Sequence, residues 1–170
     1  DDVVQNEAQI GFILRFEKEH VVYPEIPRQL EFHPIFFSRP YFWVNQKNPL
    51  AQYKVLHMKM LEEYTIIKDQ NSDKELFEFI FSDFFEVKAR FFLAANAHIM
   101  AQLVKDDIAV CPDLKVQKGD LGLSYLFAQQ DGVVAVPLST QDNYKIVTGY
   151  VVRRDFKRDN SFSSILKYLQ

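Results

Sequence analysis

The chain has 170 residues, 48% hydrophobic and 25% charged, with 16 Phe and 8 Tyr against only 5 Gly. That composition suits one compact domain or two small interleaved lobes and argues against glycine-rich phosphate loops. The 20 Lys and Arg against 23 Asp and Glu, a net charge of −3, exclude sequence-independent phosphate binding by this chain alone, because that affinity comes from clustered cations.

Cys111 stands alone, which rules out an internal disulfide and a cysteine-built zinc site. No apolar run approaches the ~20 residues a membrane helix needs, and no secretory signal opens the chain, so a cytoplasmic location without membrane contact is expected. The one basic cluster, Arg153-Arg154-Asp155-Phe156-Lys157-Arg158, is broken by an aspartate and reads as a solvated turn.

Residues 8–14 form a short, almost continuously apolar run, the pattern of a strand buried on both faces in a parallel sheet. Two extended segments follow at 30–37 and 41–44, separated by Ser38-Arg39-Pro40, where Pro40 disfavours a helix. After the polar turn Gln46-Lys47-Asn48-Pro49 come a short helix over 58–64, a strand over 64–67 and an amphipathic helix over 73–84. In that helix Leu76, Phe77, Ile80, Phe81 and Phe84 recur at three- and four-residue spacing, with Ser72 and Glu75 placed as a capping box.

A strand over 87–93, a helix over 97–105 and a short buried strand over 108–111, stopped by Pro112, continue the alternation. Helix over 121–128, strands over 133–138 and 144–152 and a terminal helix over 161–169 complete it. Alternating strands and helices indicate α/β architecture. The two polar clusters, at residues 46–52 and 139–143, bracket a central block. They divide the chain into lobe I (residues 1–48 with 140–170) and lobe II (residues 49–139), with a ligand cleft between them. A single undivided domain fits the pattern equally well.

Catalytic constellations do not emerge. There is no Gly-x-Ser-x-Gly elbow, and Cys111 lies in an apolar run, where a buried thiol is the ordinary outcome. Gly119-Asp120-Leu121-Gly122 lacks the lysine and the spacing of a phosphate loop. The histidines His20, His33, His57 and His98 are scattered, so no metal or cofactor is expected. The pairs Glu62-Glu63 and Asp106-Asp107 are sequence neighbours that point different ways and make poor acid–base dyads. Asn96 follows an apolar strand and opens a helix among small residues, either an ordinary cap or a site where helix amides receive a carboxylate or phosphate.

Several segments together resemble the regulatory domains of LysR-type transcription regulators. Glu7-Ala8-Gln9-Ile10-Gly11-Phe12 is similar to the family's acidic-x-x-Ile-Gly-Ile strand, and Asn48-Pro49-Leu50-Ala51 to its His-Pro-Leu-Ala turn. The run from Ala97 through Val104-Lys105-Asp106-Asp107 to Ile108-Ala109-Val110-Cys111-Pro112 resembles a helix–strand unit of the family. Residues 133–138 and 144–156 resemble two later strands, and the order holds over nearly the whole chain.

Two local departures stand out. Asn48 replaces the usual histidine, and Lys105-Asp106-Asp107 replaces an Ala-Ala-Gly turn. The family's opening strand and long helix, and its winged helix-turn-helix, have no counterpart in this chain.

The resemblance implies a fold of two Rossmann-like lobes joined by two crossover strands, like type II periplasmic binding proteins. It further implies a non-enzymatic sensor that binds a small anionic effector and assembles as a homodimer or homotetramer. DNA would be contacted only through a domain absent from this chain. Carried over residue by residue, the pocket draws on Leu14, Arg15 and Phe16 after the first strand. Asn96, Ala97 and His98 at a helix N-terminus and Thr148 on the return strand complete it. Arg15 is suited to grip an effector carboxylate with two parallel hydrogen bonds. A transporter's solute-binding protein shares the lobed fold, an enzyme with an atypical site is compatible with it, and a ligand-free interaction domain is the remaining alternative.

Overall fold

A computed structural model describes residues 2–72, 74–115, 123–139 and 144–156. In chain order its elements are β1 (Gly11–Lys18), β2 (Val21–Tyr23), β3 (Leu30–Asn45), β4 (Thr65–Asp69), α1 (Lys74–Glu78) and β5 (Arg90–Ala94). There follow α2 (Ala97–Lys105), β6 (Cys111–Lys115), α3 (Leu123–Ala128), β7 (Val133–Pro137) and β8 (Tyr144–Arg153). Short 3-10 turns occupy Pro49–Gln52 and Met58–Glu63, and α1 continues into a π-helical stretch, Phe79–Phe84. The expected terminal helix and most of the second polar cluster lie outside the described residues.

The chain divides into two compact units, Asp1–Ser38 with Asn143–Gln170 and Arg39–Asp142. The sequence reading sets its crossings at Asn48 and after Ser139. In the structure the first division falls inside β3, between Ser38 and Arg39.

The first unit is an antiparallel sheet in the order β2, β1, β8 and the opening half of β3. This corrects the expectation of a parallel strand over residues 8–14. Ala8 and Ile10 precede β1 rather than belonging to it, and they serve different apolar clusters. Ala8 packs with Val3, Leu30 and Val151, whereas Ile10 packs with Tyr150 and Val152. The unbroken hydrophobic run thus reflects two neighbouring clusters, not burial of one strand between helix layers.

β3 is one continuous strand, and Pro40 does not interrupt it. The proline carbonyl accepts a hydrogen bond from Leu138 N at 3.0 Å, and the ladder to β6 passes through the pair Pro40–Leu114. Pro34 sits where the register to β8 shifts, a bulge position that tolerates a missing N–H.

In the second unit the closing half of β3 pairs antiparallel with β6 and β7, while β4 and β5 pair in parallel. β6 corrects a second expectation, since the strand begins at Cys111 and runs on through Pro112. One cluster of the core gathers Tyr41, Trp43, Ile67, Met100, Val104, Cys111 and Phe127. Helix α2 supplies Met100, Ala101 and Val104 to it, the three- and four-residue spacing of an amphipathic helix.

Candidate functional site

The residues singled out by sequence fall in two groups, one in each unit. In the first unit Leu14, Arg15 and Phe16 are consecutive on β1, and Leu14 stands opposite Thr148 of β8. Because side chains alternate along a strand, Leu14, Phe16 and Thr148 share one face of the sheet while Arg15 projects from the other. Phe16 is buried, whereas Leu14, Arg15 and Thr148 are half-buried.

Arg15 lies on an aromatic support. Its guanidinium carbon is 5.2 Å from the centre of the Phe32 ring, and its Nε is 3.2 Å from Glu17 Oε1. That approach lacks hydrogen-bond geometry, so Nε is sealed from solvent with a donor unused. A buried donor of this kind costs free energy until an acceptor reaches it. On the opposite face Thr148 Oγ1 and Ser38 Oγ are joined by a hydrogen bond of 2.7 Å.

Gly149, beside Thr148, is a position where only hydrogen fits. A β-carbon there would lie 2.4 Å from the Phe32 ring and 2.5 Å from the His33 carbonyl. Phe32, Ser38 and Gly149 escaped the sequence reading. A glycine inside a strand was the available signal, since it often marks a close approach of another group.

In the second unit Asn96 caps α2, its side-chain oxygen accepting from Ile99 N at 3.0 Å. Ala97 is half-buried in the first turn, and His98 is exposed. The cap arises as the sequence suggests: a short polar side chain in extended backbone satisfies one of the helix's orphan amides.

The two departures noted in the sequence meet in this unit. Asn48 is buried, its Nδ2 donates to Asp107 Oδ1 at 2.6 Å, and its Oδ1 accepts from Leu50 N at 2.9 Å. Asp107 follows α2 in left-handed backbone, with φ at 58°. Asp107 N donates to Val104 O and Ile108 N to Leu103 O, the paired bonds of a Schellman helix end. Glycine is usual at this position, and aspartate is among the few other residues that adopt it readily.

Cys111 is fully buried, and that burial, with the charge of Asp113 second, pushes its thiol pKa far up. The thiolate needed for nucleophilic or metal chemistry is thereby suppressed. Among the described residues no three His, Cys, Asp or Glu side chains come together as metal ligands, and no helix is long and apolar enough to cross a membrane.

No family model matches the sequence, and no curated protein matches it. Solved structures do match. The effector-binding domain of QuiR in complex with shikimate superposes with a TM-score of 0.66 at 13% identity, covering 99% of this chain and 73% of that one. The Synechocystis PCC6803 CcmR regulatory domain in complex with 2-PG gives 0.66 at 12% identity, covering 99% and 74%. The regulatory domain of MetR, a LysR family regulator from N. meningitidis, gives 0.67 at 14% identity, covering 99% and 73%. Against full-length OxyR from Pseudomonas aeruginosa the chain spans 52% of the other protein. The chain has the type II periplasmic-binding-protein-like α/β fold of LysR-family effector-binding regulatory domains.

Proposed function

We propose that this chain is the effector-sensing domain of a LysR-type transcription regulator, acting in the cytoplasm and carrying out no chemistry of its own. The observation that carries the reading is the match over 99% of the chain to effector-binding domains solved with shikimate and with 2-PG. Both are small anions. Arg15, with its unused Nε donor over the Phe32 ring, is the group in this chain suited to such a charge. Leu14, Phe16 and Thr148 face the other side of the sheet from Arg15 and so would not share its ligand, while Asn96, Ala97 and His98 belong to the other unit.

Binding would shift an existing equilibrium between lobe or subunit arrangements of a homodimer or homotetramer. It can do so only by the difference in affinity for the two states. DNA would be bound by a separate domain.

A thermal-shift screen of small carboxylates, shikimate included, tests the proposal. A true effector at one hundred times its Kd stabilises the native state by about 2.7 kcal/mol, a clear rise in Tm. Arg15→Ala should abolish that rise while leaving the unliganded Tm nearly unchanged. Failure of every acid to raise Tm, or turnover of any of them, would overturn the sensor reading.

A further inference from the structure

We propose that the second unit carries a ligand site of its own, in which the ammonium of Lys68 takes the carboxylate of a small aromatic acid. Lys68 lies on β4 and is 5% exposed, the one charged side chain among the described residues that is buried. An ammonium drawn so far out of water needs an anion or hydrogen-bond acceptors to offset its lost hydration. Among the described residues it has neither.

What the fold supplies instead is a corner of two rings. Lys68 Nζ lies 5.0 Å from the centre of the Phe77 ring and 5.4 Å from that of Phe91, and those rings stand at 89° to one another. Phe81, in the π-helical stretch, is buried and braces Phe91 edge-on at 5.3 Å. Ring faces attract a cation without neutralising it, so the corner keeps a net positive charge. Helix α1, which closes the corner through Phe77, has no buried residue, and its Glu78 pairs with Lys74 at 3.5 Å rather than with Lys68.

Strand register gives the way in and the class of ligand. Lys68 pairs with Leu93 of β5, and Ile66 with Phe91, so these four side chains share one face of the parallel pair. Ile67 and Ala94, on the opposite face, belong to the cluster that α2 joins. Leu93 is 58% exposed, so the face that Phe77 closes over Phe91 stays open beside the ammonium. A ligand entering there meets apolar surface at the rim and a cation at depth. That order suits a flat acid whose carboxylate reaches Nζ and whose ring lies on Leu93. A cation is repelled, and a neutral ring gains only the apolar contact. Arg15 belongs to the other unit and Asn96 caps α2 on the far face, so the site is independent of the effector reading.

An amide NMR titration of the full chain with benzoate, benzyl alcohol and benzylamine, one ring in three charge states, tests the assignment. Benzoate should shift the amides of Leu93 and Ala94 and bind there about tenfold more tightly than either other compound at low salt. Lys68→Met keeps the bulk, removes the charge and should weaken benzoate about tenfold. Leu93→Glu, at an exposed position that leaves the fold intact, sets a competing carboxylate beside Nζ and should weaken benzoate about threefold to tenfold. The shifts in β4 and β5 should persist in Arg15→Ala, which separates this result from any failure of the effector reading. Equal binding of the three compounds, shifts in β4 and β5 untouched by both Lys68→Met and Leu93→Glu, or benzoate shifts confined to β1 would each overturn the proposal.

Discussion

The two units solve the burial problem differently. In Arg39–Asp142 helices α2 and α3 meet the strands in a cluster where Trp43 stacks on Phe127 at 5.4 Å and Cys111 and Val104 are fully buried, and further buried residues such as Leu50, Leu56, Ile66 and Phe84 lie outside it. In the first unit, among the described residues, a single antiparallel sheet carries two small apolar clusters beside other buried residues such as Phe16 and Ile146. One is centred on Val3, Leu30 and Val151, the other on Tyr150 and Val152. Among the described residues, helices α2 and α3 pack into the cluster of the second unit, whereas the first unit contributes strands and turns. Local opening should therefore cost less in the first unit than in the second.

The largest test of that contrast lies in the second unit. Phe127→Ala removes a fully buried ring from the common cluster and should cost about 3–5 kcal/mol. Denaturant unfolding followed by the fluorescence of Trp43, the only tryptophan, checks the figure. A loss below about 1 kcal/mol would mean that the cluster is looser than its packing implies.

Next in size is Gly149→Ala in the first unit. Its new methyl group would press on the Phe32 ring and, less yieldingly, on the His33 carbonyl, at a cost of about 1–3 kcal/mol. Hydrogen exchange should show faster opening of β1 and β8, with the amides of Tyr41 to Val44 keeping their protection. Uniform loss across the chain would erase the distinction between the units.

Asn48→Ala should cost about 1–3 kcal/mol, because the exposed Asp107 carboxylate and the buried turn amide of Leu50 both lose their partner. A double-mutant cycle with Asp107→Ala should return a coupling of at least about 0.5 kcal/mol, and additivity would deny the link.

The smallest effect concerns pH. Arg153 Nε and Nη2 donate to the Asp155 carboxylate, and that hydrogen bonding holds its pKa below 3.8. A depressed carboxylate stabilises the fold above its unfolded pKa, and the contribution disappears as pH falls through the folded value. Both groups are exposed, so the stability change should be slight and a carboxyl NMR titration is the suitable readout. Arg153→Gln should move the Asp155 midpoint back up toward 3.8.

The sequence made α2 legible in full, from its Asn96 cap to Lys105, because a capping side chain and an apolar stripe are local signals. β7 was legible within a residue for the same reason. Strand direction was not. Nothing in the residues around Ile13 distinguishes a strand flanked by helices from one whose faces meet two separate clusters. Pro40 and Pro112 misled because a proline's cost depends on which strand edge its missing N–H faces, and that is set by partners distant in sequence. Among the candidate residues Arg15 and Asn96, one in each unit, stood out as residue types, while the Phe32 support and the Ser38 partner of Thr148 depend on β3–β8 register.

The bond between Asn48 and Asp107 also bears on how such a chain can diverge. Either residue alone is a poor exchange: a buried amide without its acceptor, or a carboxylate at a tight helix end without its donor. A chain altered at one of the two positions alone is expected to be less stable than one altered at both. Position-by-position scoring counts the pair as two independent faults, although physically they form a single compensated replacement.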